Sequence, residues 1–249
     1  MTYGRNFDLL NGKFRELFFP TLMTSIAGNF AVLVDAFFIS MFMGSVYLSV
    51  VQSIEPFVAF INVVYWLIGL GGSVVCTIAK AEFDDERGNA YFTISTIGII
   101  IIGLLITLST IVFHGQYVNL LCHSVQMKQF VTQYFFYYTI GIVFECYMVS
   151  LAYFIKTDGF IGMQFRAFLI CNVVNIIFDV IFMKFMNLGI AGAAMATTAG
   201  HVISAVYITL YFFKSNRTLR LIKVKTSQIL VYLVDICKSG FAGSSIPVY

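Results

Sequence analysis

The chain is poor in charge. Asp, Glu, Lys and Arg make up 11% of its 249 residues, whereas soluble domains carry about 25%. That is too little polar coating for a water-exposed surface, so a soluble enzyme or binding module is excluded. A secretory signal is also missing: charges recur through Glu16, and no short apolar segment with a small-residue cleavage site follows. The five cysteines, Cys76, Cys122, Cys146, Cys171 and Cys237, have no C-x-x-C or other ligand spacing, which excludes a cysteine metal site or redox motif. Most sit in or beside apolar segments, where cysteine acts as a small hydrophobe. The net charge of +3 gives no reason to expect a nucleic acid partner. What is abundant is apolar surface: 59% of residues are hydrophobic and mean hydropathy is +0.89. The expected class is an all-α polytopic membrane protein embedded in a lipid bilayer.

A membrane-crossing helix needs about 20 mostly apolar residues. Six segments qualify: 18–43, 47–76, 91–113, 130–155, 163–185 and 190–213. These imply three regions: a six-helix lobe over 1–213, a basic cytoplasmic linker over 214–235, and a truncated start of a seventh helix over 236–249. Basic residues set the orientation. With the N-terminus inside, twelve face the cytoplasm (Arg5, Lys13, Arg15, Lys80, Arg87, Lys156, Arg166, Lys214, Arg217, Arg220, Lys223, Lys225) against two outside (Lys128, Lys184). The expectation is a multi-pass protein of the cell membrane with a cytoplasmic N-terminus. The aromatic clusters "YFFYY" (134–138) and "YITLYFF" (207–213) fit interfacial belts.

A few polar residues interrupt these spans. At about 1.5 Å rise per residue, Asp35, Glu55, Asp179 and Thr197 fall at a similar depth in the outer half of the membrane. In "NVVNIIFDVIF", Asn172, Asn175 and Asp179 share a helix face, as do Thr197 and His201 on the sixth span. An ionised residue in a span costs at least about 2.5–3.5 kcal/mol at the centre and usually faces a bundle interior or wet cavity. Two carboxylates meeting in an apolar pocket require a shared proton or an intervening cation. Amide and hydroxyl oxygens from Asn175 and Thr197 suit either. Glu145, midway along the fourth span, and Glu55, beside Pro56, are candidates for an accessory role or for lining a wet cavity. Asn172 and His201 read more simply as helix-packing hydrogen-bonders. The small residues of "GIAGAAMATTAG" (189–200) and "IGLGGS" (68–73) permit close helix approach.

At these residues the chain resembles the multidrug and toxic compound extrusion (MATE) family, within the MOP flippase superfamily. "FAVLVDAFFISMFMG" resembles the family's first helix, "NVVNIIFDVIFM" its fifth, and "LGIAGAAMATTAGH" the start of its sixth. "AYFIKTDGFIGMQF" resembles the inner loop after helix four. The resemblance implies an antiporter, not an enzyme, that exports drugs or organic cations against H⁺ or Na⁺, with no other cofactor. By position it implies a proton or Na⁺ site at Asp35, Asn175, Asp179 and Thr197. Ala36 stands where Thr often follows the acid, and Glu55 and His201 stand where neutral residues are usual. Family members are about twice as long, so the chain reads as an N-terminal half, expected not to transport on its own unless a C-terminal lobe or a second chain completes it.

Other functions fit less well. An intramembrane aspartyl protease would need Tyr-Asp and Gly-x-Gly-Asp contexts, but the sequence reads Val34-Asp35 and Phe178-Asp179, and no G-x-S-x-G elbow is present. A lipid-linked glycan flippase would line its cavity with Lys or Arg, which here cluster at inner ends. An inactive fragment is the remaining alternative.

Overall fold

The computed structural model describes residues 3–244, and these form an all-helical bundle. Helix α1 spans Tyr3–Met43 and α2 spans Leu48–Tyr65; a π-helical turn, Trp66–Leu70, joins α2 to α3, Gly71–Ala81. Next come α4 (Asp85–Val112), the short α5 (His114–Leu121) and α6 (Val125–Thr157). Helix α7 (Ile161–Asp179) continues through a π-helical segment, Val180–Phe185, followed by α8 (Ile190–Thr209) and α9 (Thr226–Ser244). Six stretches are long and apolar enough to cross a membrane: Thr21–Met43, Ser45–Ala81, Asp85–Val112, Val125–Thr157, Ile161–Phe185 and Ile190–Phe213. They coincide with the six expected from hydropathy.

Local chemistry sets the helix ends. Asp84 caps α4 by accepting a bond from the Arg87 amide at 2.9 Å, and Asp85 and Glu86 fill its first turn, where carboxylates oppose the helix dipole. Helix α8 packs between α6 and α7. A side chain added at Gly200 would meet the Cys171 carbonyl at 2.7 Å, so this crossing requires glycine. Ser204 donates to the Ala167 carbonyl at 2.6 Å and Thr198 to the Tyr137 carbonyl at 2.8 Å, tying α8 to both neighbours. The alternating direction of the spans collects Lys80, Arg87, Lys156, Arg166 and Lys214 at one end of the bundle. That end is called the basic end below.

Two buried clusters divide the core. One, around Ile54, Phe57, Phe135 and Ile142, fills the half away from the basic end; the other, around Phe92, Phe154, Ile155 and Tyr211, fills the basic half. Large apolar residues on the outer surface, such as Phe30, Leu33, Leu105 and Leu108, suit contact with lipid tails. The cluster 134–138, expected in an interfacial belt, is instead largely core: Tyr134, Phe135 and Tyr138 are buried. Period 3.6 places these rings on the packed face of α6, and a belt residue and a core aromatic look alike until that face is known. In 207–213, Phe213 is exposed but Tyr211 is fully buried.

The segment after α8 is docked rather than loose. The Asp158 carboxylate accepts from the Thr218 amide at 3.1 Å, the Thr218 hydroxyl and the Tyr211 hydroxyl. Lys80 donates to the Thr218 hydroxyl at 2.8 Å and carbonyl at 3.1 Å. Further along, the amides of Arg220 and Ile222 donate to Asn89 and Thr93 at 2.9 and 3.0 Å, and Leu219 is buried. Residues 226–235, expected in the linker, are helical: α9 starts at Thr226, directly after this strap. The tail of the expected seventh segment, 245–249, lies outside the described residues. Hydrogen bonds to a charged group contribute about 1.5–3 kcal/mol. Asp158→Ala is therefore expected to speed tryptic cleavage within 214–225 by roughly tenfold or more, read by mass spectrometry of the cleaved chain; an unchanged rate would show that the strap is held by other contacts.

Candidate functional site

A cavity of about 210 Å³ opens among α1, α2, α6, α7 and α8. Its polar lining is Asp35, Glu55, Asn172, Asn175, Thr197 and His201, with Tyr134, Tyr138 and Cys171 alongside. Of the residues singled out from sequence, Asp179 and Glu145 do not line it. Asp179 is fully buried and lies near Asp35, close enough for the two carboxyl groups to act on each other. Glu145 is buried on the side of His201. Glu55 is exposed, at the rim.

Three of the pair's four carboxyl oxygens have no donor among the described residues. Asp35 Oδ1 and both oxygens of Asp179 are buried without any hydrogen-bond partner. The neighbouring polar groups satisfy one another instead: the Asn175 amide nitrogen donates to the Thr197 hydroxyl at 3.3 Å, and that hydroxyl donates to the Ala193 carbonyl at 3.1 Å. A buried unpaired acceptor costs about 1–3 kcal/mol, more when charged. A carboxyl–carboxyl hydrogen bond needs one proton, and two carboxylates need a cation. A proton or a cation would satisfy the pair, and Asn175 lies one helical turn from Asp179 on α7.

Three residues, Tyr134, Tyr138 and Cys171, escaped the sequence reading. Tyr134 lies within electrostatic range of Asp35, Asp179, Glu55 and Glu145, and its ring stacks on that of Tyr138 with centroids 6.4 Å apart. A signal was present: 134, 138 and 145 fall on one face of a 3.6-residue helix, and Glu145 marks that face as polar. Cys171 was read as inert; it lines the cavity beside His201.

The architecture recurs in solved structures. It matches half of a MOP superfamily transporter from Pyrococcus furiosus (TM-score 0.82, 18% identity, 94% of this chain and 52% of that one). It also matches half of a multidrug resistance MATE family transporter in an outward-facing conformation (TM-score 0.83, 20% identity, 92% and 51%). In sequence the chain is similar to the multidrug export protein MepA of Staphylococcus saprophyticus, at 24% identity over 224 residues, 89% of this chain and 49% of that protein. It is similar to MepA of Staphylococcus haemolyticus at 22% over 200 residues, 80% and 44%. The chain thus spans about half the length of the curated relatives it matches. The MatE family model matches residues 20–181, and with six membrane-crossing helices in that family's arrangement this chain belongs to the MatE family of multi-pass membrane transporters.

Proposed function

We propose that the chain forms the N-terminal lobe of a cation-coupled exporter of drugs or organic cations, a transporter and not an enzyme. The carrying observation is the neighbouring carboxyls of half-buried Asp35 and fully buried Asp179, three of whose four oxygens have no donor among the described residues, set against a polar cavity lined by Asn175 and Thr197. In this reading the pair binds the coupling ion, H⁺ or Na⁺. Its occupancy decides whether α1 and α7 carry mutually repelling charges, and so biases how the two helices pack. Alternating access in such folds rocks two repeats about a central site, so a second lobe, in the same or another polypeptide, completes the machine. The multidrug export named for the MepA relatives supports small organic compounds as cargo. No Lys or Arg is among the cavity-lining residues, which disfavours a flippase that holds lipid phosphates. The bias of basic residues toward one end supports a cytoplasmic N-terminus in the cell membrane.

The test is efflux of a fluorescent organic cation from vesicles carrying the chain joined to a second lobe, driven by a proton gradient or a sodium gradient alone. One of the two should drive efflux. Glu55→Gln should change the pH or sodium dependence if the rim acid helps gather the ion. Efflux by vesicles holding only this chain would overturn the two-lobe requirement, and efflux indifferent to both gradients would overturn the coupling.

A further inference from the structure

A second polar cluster lies deeper in the lobe, toward the basic end. Glu145 on α6 is buried, and its Oε2 accepts the Tyr138 hydroxyl at 2.9 Å. His201 Nδ1, on α8, is 3.9 Å from the same oxygen. That gap is too long for a hydrogen bond and short enough for an ion pair. The other titratable groups facing the cluster are weak acids. They are Tyr65 from α2, Tyr134 and Cys146 from α6, and Cys171 from α7. The Tyr65 hydroxyl is already donated to Asn62. The charged groups of α4, Asp85, Glu86 and Arg87, all sit in its first turn at the basic end, with Tyr91 just beyond them. Among the described residues, then, His201 is the one partner able to carry a positive charge to Glu145.

We propose that Glu145 and His201, with Tyr138 as donor, form a second proton-binding site in the lobe, one level closer to the basic end than the Asp35–Asp179 pair. With one proton between them the two residues are neutral overall. The proton sits either on His201, leaving an ion pair, or on Glu145, leaving two neutral groups. Either arrangement is tolerable in the apolar interior, whereas a lone buried carboxylate is not. Removing the proton leaves a buried negative charge, and adding another leaves a positive one. The site therefore holds a single proton firmly and can exchange it with a neighbour.

The neighbour is at hand. His201, Tyr138 and Asp35 line the same cavity. Its volume of about 210 Å³ has room for several waters at about 30 Å³ each. Tyr134, stacked on Tyr138, is within electrostatic range of both sites. A proton leaving His201 Nδ1 or the Glu145 carboxyl for a cavity water is replaced from that same water network, so no other reactant is needed. The site's use rests on the coupling role proposed above; its existence rests on the geometry alone.

The two sites separate in pH-difference infrared spectroscopy of the 249-residue chain in lipid nanodiscs. Glu145→Gln is expected to delete one protonated-carboxyl band that Asp179→Asn leaves in place. His201→Gln should alter that band, since it removes the partner 3.9 Å from Glu145 Oε2 that can balance its charge. Tyr138→Phe should shift its frequency through loss of the hydroxyl donor. A spectrum unchanged by Glu145→Gln, or a Glu145 band unaltered by His201→Gln, overturns the second site. A band lost in Glu145→Gln with none lost in Asp179→Asn upholds the second site and overturns the carboxyl pair as a proton site.

Discussion

Asp179→Asn is expected to abolish gradient-driven efflux in the two-lobe transporter while making the lobe itself more stable. Asp179 is fully buried, and neither of its oxygens has a donor. Its carboxylate therefore contributes desolvation cost and repulsion from Asp35, with no hydrogen bond to offset them. An asparagine has almost the same shape, carries no charge, and can donate its amide to Asp35. Relief of an unsatisfied buried group amounts to about 1–3 kcal/mol, or roughly 2–4 °C in melting temperature per kcal/mol for a chain of this size. The measurement is thermal unfolding of the purified chain beside efflux in vesicles. A lower melting temperature with normal efflux would mean that the carboxylate is a structural partner and not an ion receptor. Stability and function are opposed here because a site that must accept and release a charge cannot be satisfied in both states.

The second large effect concerns α9. At its crossing with the π-helical turn after α2, backbone meets backbone. A Cβ at Gly240 would lie 2.4 Å from the Leu67 carbonyl oxygen and 2.8 Å from its Cα, and one at Gly71 would lie 2.4 Å from the Ile236 carbonyl oxygen. No rotamer change relieves a clash with main chain. Gly240→Val is therefore expected to push α9 off the lobe, at a cost of about 1–3 kcal/mol or more. The Tyr91–Asp235 hydrogen bond of 2.9 Å would be lost with it. The single tryptophan, Trp66, is in that turn and reports the change: its emission should shift and its access to quenchers should rise. Gly98→Ala is the control. Nothing lies within 4 Å of the added carbon there, and alanine is the better helix former by about 1 kcal/mol, so this variant should melt at or above the wild-type temperature. Equal melting temperatures for the two variants would show that the crossing has slack.

Much of this architecture could be read without coordinates because a bilayer admits few solutions. Every spanning backbone group must bond within its own helix, so length and hydropathy alone marked the six spans. The cost of polar groups in that setting marked Asp35, Glu55, Asp179 and Thr197 at a similar depth, and Asn175 joined them by sharing a helix face with Asp179. Two further facts were legible only in part. The strap 214–225 was visible as a basic segment, but its hydrogen bonds to Asp158, Asn89 and Thr93 join positions far apart in sequence. The start of α9 at Thr226 was hidden because 226–235 mixes polar and apolar residues.

Which polar residues meet is a matter of helix rotation and crossing, and no periodicity along one helix fixes those. Close packing at Gly200 turns α8 so that Thr197 and His201 face the cavity. The rotation of α6 then puts Tyr134 and Tyr138 inside instead of at the interface, and brings Glu145 to His201. The sequence by itself determined the class of protein, its spans and the acids that must be sheltered, because membrane burial penalises each residue independently. Only the tertiary structure decided that Asp179 lies near Asp35, and that Glu145 and His201 are partners, because a pair between helices exists only once small residues have set how closely and at what rotation those helices pack.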